Sequence, residues 1–466
     1  MRDFRLEFSP FSFVALREVE IVKQINHHST AFVKGIISKS DAQAYHDMGI
    51  QNAHLPIAIT AVADDEEAVA VFMGVTTNME IQHVGGVATM AIEAKSGSYL
   101  MDINERYRTF QDPGAAHSQV LDLLGAPYAG YDYTQNTGGQ DLPLGQFTVQ
   151  YWETDWAFAK RLASRLSTFL APMDSSPGVQ FHFGAPHLEA YALDDSTDYR
   201  AILDYGASDD KVRKGLHDAN EADALCYAVE GREIYAVGDA IQFQGMALYV
   251  GKIVTTYAGQ ELVHTCYLYH EHGLRTPRSQ NDRMIGASLD AQVLAVQGDE
   301  VQVQMIGDEN ADQTIAQWFP YATVYSSPDG IGWYAMPEPG DFVRLHIPCN
   351  EEKNAVVFNA AQEASDARSN PDIKSMRTKY GKEIRFTPNT LVMTNNAGME
   401  ISIIDGEGVR IDSDKNIFIK AEGAIDITSG TGVSMLAADS VVVQQGGTSL
   451  VVDDDIAFVG GQLRMQ

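Results

Sequence analysis

The C-terminal part of the chain places apolar residues in short alternating units at one fixed spacing. Val409/Ile411, Ile417/Ile419, Ile425/Ile427, Val433/Met435 and Val441/Val443 are each an apolar-x-apolar pair, and each stands eight residues beyond the previous one. Alternation of period two with β-branched side chains is the pattern of a strand burying one face, and clusters of Gly, Asp, Ser and Lys separate the pairs. Less regular units flank the run. Ile384/Phe386, Leu391/Met393 and Met399/Ile401/Ile403 precede it, and Leu450/Val452, Ile456/Phe458 and Leu463/Met465 come after, so about eleven units run almost to Gln466.

An octad leaves about five residues for a strand and three for a turn, and a single chain of such units buries almost nothing against itself. Two arrangements give the pairs a core: a single-chain solenoid, which uses longer coils, or several identical chains wound about one axis. The short period favours the second. The ten residues of the five regular pairs are then expected to fill a shared core between the chains, in a rod on the order of 50 Å long at a strand spacing of about 4.8 Å. An ordinary antiparallel meander is the alternative, disfavoured because meanders vary their loop lengths more.

Upstream, residues 1–98 read mostly as strands, with alternation over 31–37, 56–63, 69–76 and 87–94, and suit a small barrel or sandwich. Residues 99–235 hold a helical insertion. Its first helix is expected over 115–124, and a second starts at Thr154 or Asp155 with Phe158, Leu162, Leu166 and Phe169 facing a core until Pro172 ends it. Strands return and complete a second barrel-like section at 236–282. Short strands at 283–360 fit a five-stranded barrel of the oligonucleotide-binding (OB) type, 361–378 is a polar linker, and 379–466 is the repeat.

The formal net charge of −30 argues against nucleic acid or an anionic membrane as the main partner. Cys226, Cys266 and Cys349 are far apart and in no metal-ligand spacing, so they read as reduced thiols. No signal peptide or membrane span is legible, so synthesis in the cytoplasm is expected.

Taken in order, these parts resemble the VgrG-type central spike proteins of contractile injection systems and contractile phage tails. The specific local matches are Tyr151-Trp152-Glu153-Thr154-Asp155-Trp156-Ala157-Phe158, at the entry to the hub helix, and Pro339-Gly340-Asp341-Phe342-Val343, at a barrel strand. The resemblance implies a mainly β fold: two hub β-barrels with helical insertions, an OB-type barrel and a C-terminal trimeric intertwined β-helix. It implies a structural homotrimer that links inner tube to baseplate and pierces a target envelope in transient contact. Its partners would be tube and baseplate proteins, a separate PAAR-like tip protein touching Leu463 and Met465, and possible effector cargo. The chain would be assembled into the injection particle or phage tail and delivered across the target envelope. Two departures are visible. Glycines precede some apolar pairs (Gly398, Gly408, Gly432) instead of lying within them, and the linker is too short for the lysozyme domain that some such spikes carry.

No residue constellation calls for catalysis, a cofactor or a metal. His270-Glu271-His272 and His27-His28 lack a third ligand nearby and read as solvated strand ends, and Asp453-Asp454-Asp455 reads as a charged turn. Trp318 and Trp333 could offer a binding platform on the barrel, although core packing or a neighbouring subunit fits the charge better. The competing function is a single-chain β-helix carbohydrate-active tail-spike enzyme using Asp412, Asp414 or Asp426, disfavoured because the octad is too short for its wide coils.

Overall fold

The computed structural model describes residues 4–63, 68–138, 140–186, 189–258, 261–358, 365, 368–452 and 456–459. They fall into two compact units, 1–362 and 363–466.

In the first unit most strands belong to one twelve-stranded sheet. Six come from the N-terminal section, in the spatial order Phe4–Ser9, Pro56–Ala63, Val69–Val84, Val87–Lys95, Thr30–Ile37 and Ala15–Gln24. The last pairs antiparallel with Met246–Ala258, Val22 opposite Val254, and Glu261–Tyr269, Leu225–Gly231 and Tyr199–Leu203 continue the sheet. The N-terminal strands and those of 199–269 are thus joined edge to edge by main-chain hydrogen bonds, a long-range pairing that local alternation does not encode. Turn chemistry sets the registers within each. Val84 pairs with Val87 across Gly85-Gly86, both at positive φ, which is the two-residue hairpin that matches strand twist. Alternate residues Val19, Ile21, Val33, Ile59, Phe72, Met90 and Ile92 are buried together on one face.

The insertion holds the helices His117–Gly125 and Asp155–Arg165 beside a three-stranded sheet, Leu170–Pro172, Gln180–Gly184 and Asp132–Asn136. Thr154 caps the second helix, its side chain accepting from the Ala157 N–H at 3.2 Å. Phe158 and Leu162 are fully buried, as their spacing predicts. The helix stops at Arg165, so Phe169 reaches the second hub core from the chain beyond it. The helix Lys39–Gln51 was not expected. It buries only Ala42 and Tyr45 and carries almost no apolar stripe, so its signal reduces to the Ser38 cap accepting from the Asp41 N–H.

Residues 287–358 close a five-stranded barrel in the order Ala287–Gln297, Glu300–Met305, Phe319–Ala322, Val356–Phe358, Phe342–Ile347 and back to the first strand. Leu289, Val293, Val301, Val303, Leu345 and Val357 fill its interior. The segment Pro339-Gly340-Asp341 is a turn device: Gly340 has φ of 100°, and the Asp341 carboxylate accepts from the Glu338 N–H at 2.8 Å, starting the strand at Phe342.

In the second unit five strands, Lys374–Arg377, Glu383–Phe386, Thr390–Thr394, Met399–Ile404 and Gly408–Ser413, form an antiparallel meander. A second meander joins Val441–Gln445, Thr448–Val452 and Ile456–Val459. Over these two segments the chain therefore adopts the arrangement that the even spacing disfavoured. Glycine serves the last two turns of the first meander: Gly398 and Gly408 stand just before apolar pairs with φ of 96° and 119°.

Candidate assembly interface

The register of the first meander gathers the apolar pairs into two rows on one face. Met376, Ile384, Met393, Ile401 and Ile411 are successive cross-strand partners, as are Phe386, Leu391, Ile403 and Val409. Every one of them except Leu391 is exposed. The opposite face is polar, with Arg385, Val392, Ser402 and Arg410 in one row, and there Val392 and Ser402 are buried. An exposed apolar face of this size is the kind of surface that interaction partners cover.

The octads beyond Ser413 are more open still. No strand is assigned over 414–440. Ile417 and Ile419 are 53% and 73% exposed, and Ile425, Ile427, Val433 and Met435 are exposed as well. Six of the ten expected core residues thus stand on chain outside any strand ladder, with their side chains exposed. Val409 and Ile411 lie in the first meander. Val441 and Val443 lie in the second, opposite Val452 and Leu450. Leu463 and Met465, the expected tip contacts, lie outside the described residues, as does the Asp453-Asp454-Asp455 turn.

Within the first unit, the 151–158 segment builds the joint to the barrel. Asp155 is fully buried and accepts from Arg108 Nη1 at 2.6 Å, Gln150 Nε2 at 2.9 Å and the Tyr128 hydroxyl at 2.7 Å. Trp156 is packed between His28 and Phe181, while Trp152, at positive φ, lies stacked on Tyr107. Glu153 takes a forked pair from Arg161, and Arg161 and Arg165 both reach Glu352 of the barrel, at 2.7 and 2.6 Å. Burial alone would raise the Glu352 carboxyl, but the two guanidiniums hold it below the usual carboxylate range. Asp308 makes a second bridge, accepting from the Thr109 N–H and hydroxyl. Sequence pattern identifies the motif as a helix start and does not disclose this joint. The available signal is Arg161 between Phe158 and Leu162, a charge on an apolar stripe.

Of the histidines weighed as ligands, His272 and His28 are held by neighbouring groups, and the His28 side chain, 9% exposed, is not the solvated strand end expected. His272 lies 2.7 Å from Asp223 and 3.4 Å from Asp218. His28 bonds to Ser98 at 2.8 Å and is pulled down by burial, partly offset by Asp102. Among the described residues no group of three or more His, Cys, Asp or Glu is placed to hold a metal ion. Asp412 pairs with Arg410 at 2.9 Å, and Asp414 lies against Gly398, so these carboxylates sit in surface contacts at strand ends. Trp318 is half-buried and Trp333 is exposed.

The fold can be set against known proteins. The Francisella VgrG in its half-lidded complex with PdpA superposes with a TM-score of 0.56 over 88% of this chain and 88% of that one, at 9% identity. The c3393 protein of Escherichia coli, a component of the type VI secretion system with structural similarity to the T4 tail proteins gp27 and gp5, matches with a TM-score of 0.53. That match covers 77% of this chain and all of the other, at 12% identity. The fold is that of the VgrG-type spike proteins. No protein-family profile and no curated protein matches the sequence. The fold is thus carried here by a sequence that shares few residues with its structural neighbours.

Proposed function

We propose that the protein is the structural hub and spike of a contractile injection apparatus, working as a homotrimer. The observation that carries the reading is the open apolar face of the octads, on a chain with a VgrG-type fold. Three copies turning these faces inward would gain about 1.5–3 kcal/mol for each large apolar side chain buried. Between the two meanders, 414–440 would be the intertwined part, each strand pairing with neighbouring copies so that no edge stays open. The rod would be stiff and hard to unfold, as a body driven through an envelope must be. The hub would join inner tube to baseplate. Leu463 and Met465 would meet a PAAR-like tip protein, and effector cargo would ride on the assembly. On this reading the chain acts mechanically, without catalysis.

Light scattering on the purified protein tests the assembly. The expected mass is three times 51.0 kDa for the full chain, and deletion of Lys379 to Gln466 should abolish the stable trimer. A full-length monomer at micromolar concentration would sink the reading. It would return attention to the single-chain polysaccharide enzyme, whose activity would disappear on mutating Asp412, Asp414 or Asp426.

A further inference from the structure

The barrel carries an aromatic groove that the hub-and-spike reading leaves unused. Between the strands Phe319–Ala322 and Phe342–Ile347 the chain makes a small hairpin, with Ser326 bridged to Gly332. Its two arms are held by Trp333 N–H to the Tyr325 carbonyl at 2.8 Å and Ser327 N–H to the Ile331 carbonyl at 2.7 Å. Gly332 is required there. A Cβ would stand 2.4 Å from the Tyr325 carbonyl oxygen.

This hairpin exposes rings. Trp333 is 58% exposed and Tyr334 is 73% exposed, yet neither is loosely held. The Trp333 carbonyl accepts from the Thr323 hydroxyl at 2.7 Å, and the Tyr334 hydroxyl donates to the Gly298 carbonyl at 3.0 Å, in the turn between the first two barrel strands. The Tyr334 ring is fixed through its hydroxyl and the Trp333 main chain through its carbonyl, which lowers the entropy cost of presenting the two rings to a ligand. They border a groove of about 610 Å³, whose wall also carries Asp299, Tyr321, Thr323 and Ser327.

Charge and shape select the occupant. Among the described residues lining the groove there is no lysine or arginine and there is one carboxylate, on a chain of net charge −30. Stacking platforms for single-stranded nucleic acid sit in basic grooves, so a polyanion is excluded. A groove of this volume is the size of a small-molecule site, whereas a stable protein interface takes about 800 Å² from each partner. Aromatic faces for C–H surfaces, with hydroxyls, carbonyls and a carboxylate at the rim for O–H groups, suit a neutral polyhydroxylated ligand.

We propose that the Trp333/Tyr334 groove of the barrel binds a neutral oligosaccharide. The site lies outside the assembly surface of the repeat, so it goes beyond the hub-and-spike reading and can stand or fall without it. Isothermal titration of the full-length protein with maltohexaose and with the hexamer of β-1,4-linked N-acetylglucosamine tests it, with polygalacturonate as the charged control. One neutral hexamer should bind, with a blue shift of tryptophan fluorescence, and polygalacturonate should not. Trp333→Ala should weaken binding at least tenfold, Trp333→Phe should restore part of it, and mass and thermal unfolding should be unchanged in both. Absence of heat and spectral change with both neutral hexamers at millimolar concentration overturns the proposal. So does a lowered assembly mass for Trp333→Ala with no effect on sugar, which would make the hairpin a contact between subunits.

Discussion

In the barrel, Val293, Val303, Leu345 and Val357 point into a sheet that closes on itself, and all are buried within one protomer. In the octads, Ile417, Ile419, Ile425 and Ile427 repeat the same apolar-x-apolar alternation and all are exposed. The difference lies in the connection between one pair and the next. The barrel strands are separated by turns and loops of unequal length that let the sheet curl and close. The octads allow only about three residues between strands, enough to step onward but too few to return across a core. The same binary pattern thus accompanies a self-contained core in one place and an exposed apolar run in the other, and the connections between strands differ between the two.

The strongest way to break that comparison is to charge the repeat. Ile419→Asp with Ile427→Asp would place six carboxylates in the shared core of a trimer, while in a lone protomer both positions already face water. Loss of the trimer is expected, to a species of 51.0 kDa, with the near-ultraviolet dichroism of the hub and barrel kept. A trimer that survives both substitutions would show that these residues are not its core.

A second substitution asks whether the barrel depends on the hub as the repeat depends on its copies. Glu352 is shared by Arg161 and Arg165, all three substantially buried. Glu352→Ala leaves both guanidiniums without it, and removing one member of a buried ion pair costs about 3–5 kcal/mol. Urea unfolding of the full chain should lose that much. The combination of Glu352→Leu with Arg161→Met should recover part of the loss, since an apolar contact can replace a buried pair. A cost below about 1 kcal/mol would mean the joint contributes little.

The two regions also differ in how far the sequence discloses them. The strand alternation, the barrel, the capped helix at Thr154 and the repeat were all legible, because each rests on local period or on a cap. The junction of Ala15–Gln24 with Met246–Ala258 was not, since nothing in either strand names a partner more than 200 residues away. The helix Lys39–Gln51 was missed for lack of an apolar stripe. The Arg161–Glu352 link was invisible for the same reason as the sheet junction: two ordinary charges 191 residues apart become a joint only when folding buries both. In the repeat the alternation marked apolar residues that the structure leaves exposed, but it could not show that the first of them pair within one chain.

The smallest expected effect separates the two regions by pH. His264 lies in the hub sheet with its Nδ1 2.8 Å from the Thr255 hydroxyl and no partner for Nε2. Burial and the nearby Lys23 ammonium push it down to about 4, so the folded state holds it neutral. In the unfolded chain it titrates near 6.5. Above pH 6.5 neither state binds the proton and the stability is fully present. As pH falls from 6.5 to 4 the unfolded state alone takes it up, and about 3 kcal/mol is lost. Burial lowers His27, His28, His117 and His182 in the same direction, so the total slope in the hub is steeper than one proton. The variant isolates the term: His264→Gln should flatten the pH dependence of urea unfolding by about one proton over that window. The repeat has no histidine, the last in the chain being His346. Trimer dissociation tracked by mass should therefore stay level between pH 6.5 and 5 while the hub weakens. Equal slopes for the variant and the parent would place the His264 proton on both states, and the enclosed region would then be no more pH-sensitive at this position than the open one.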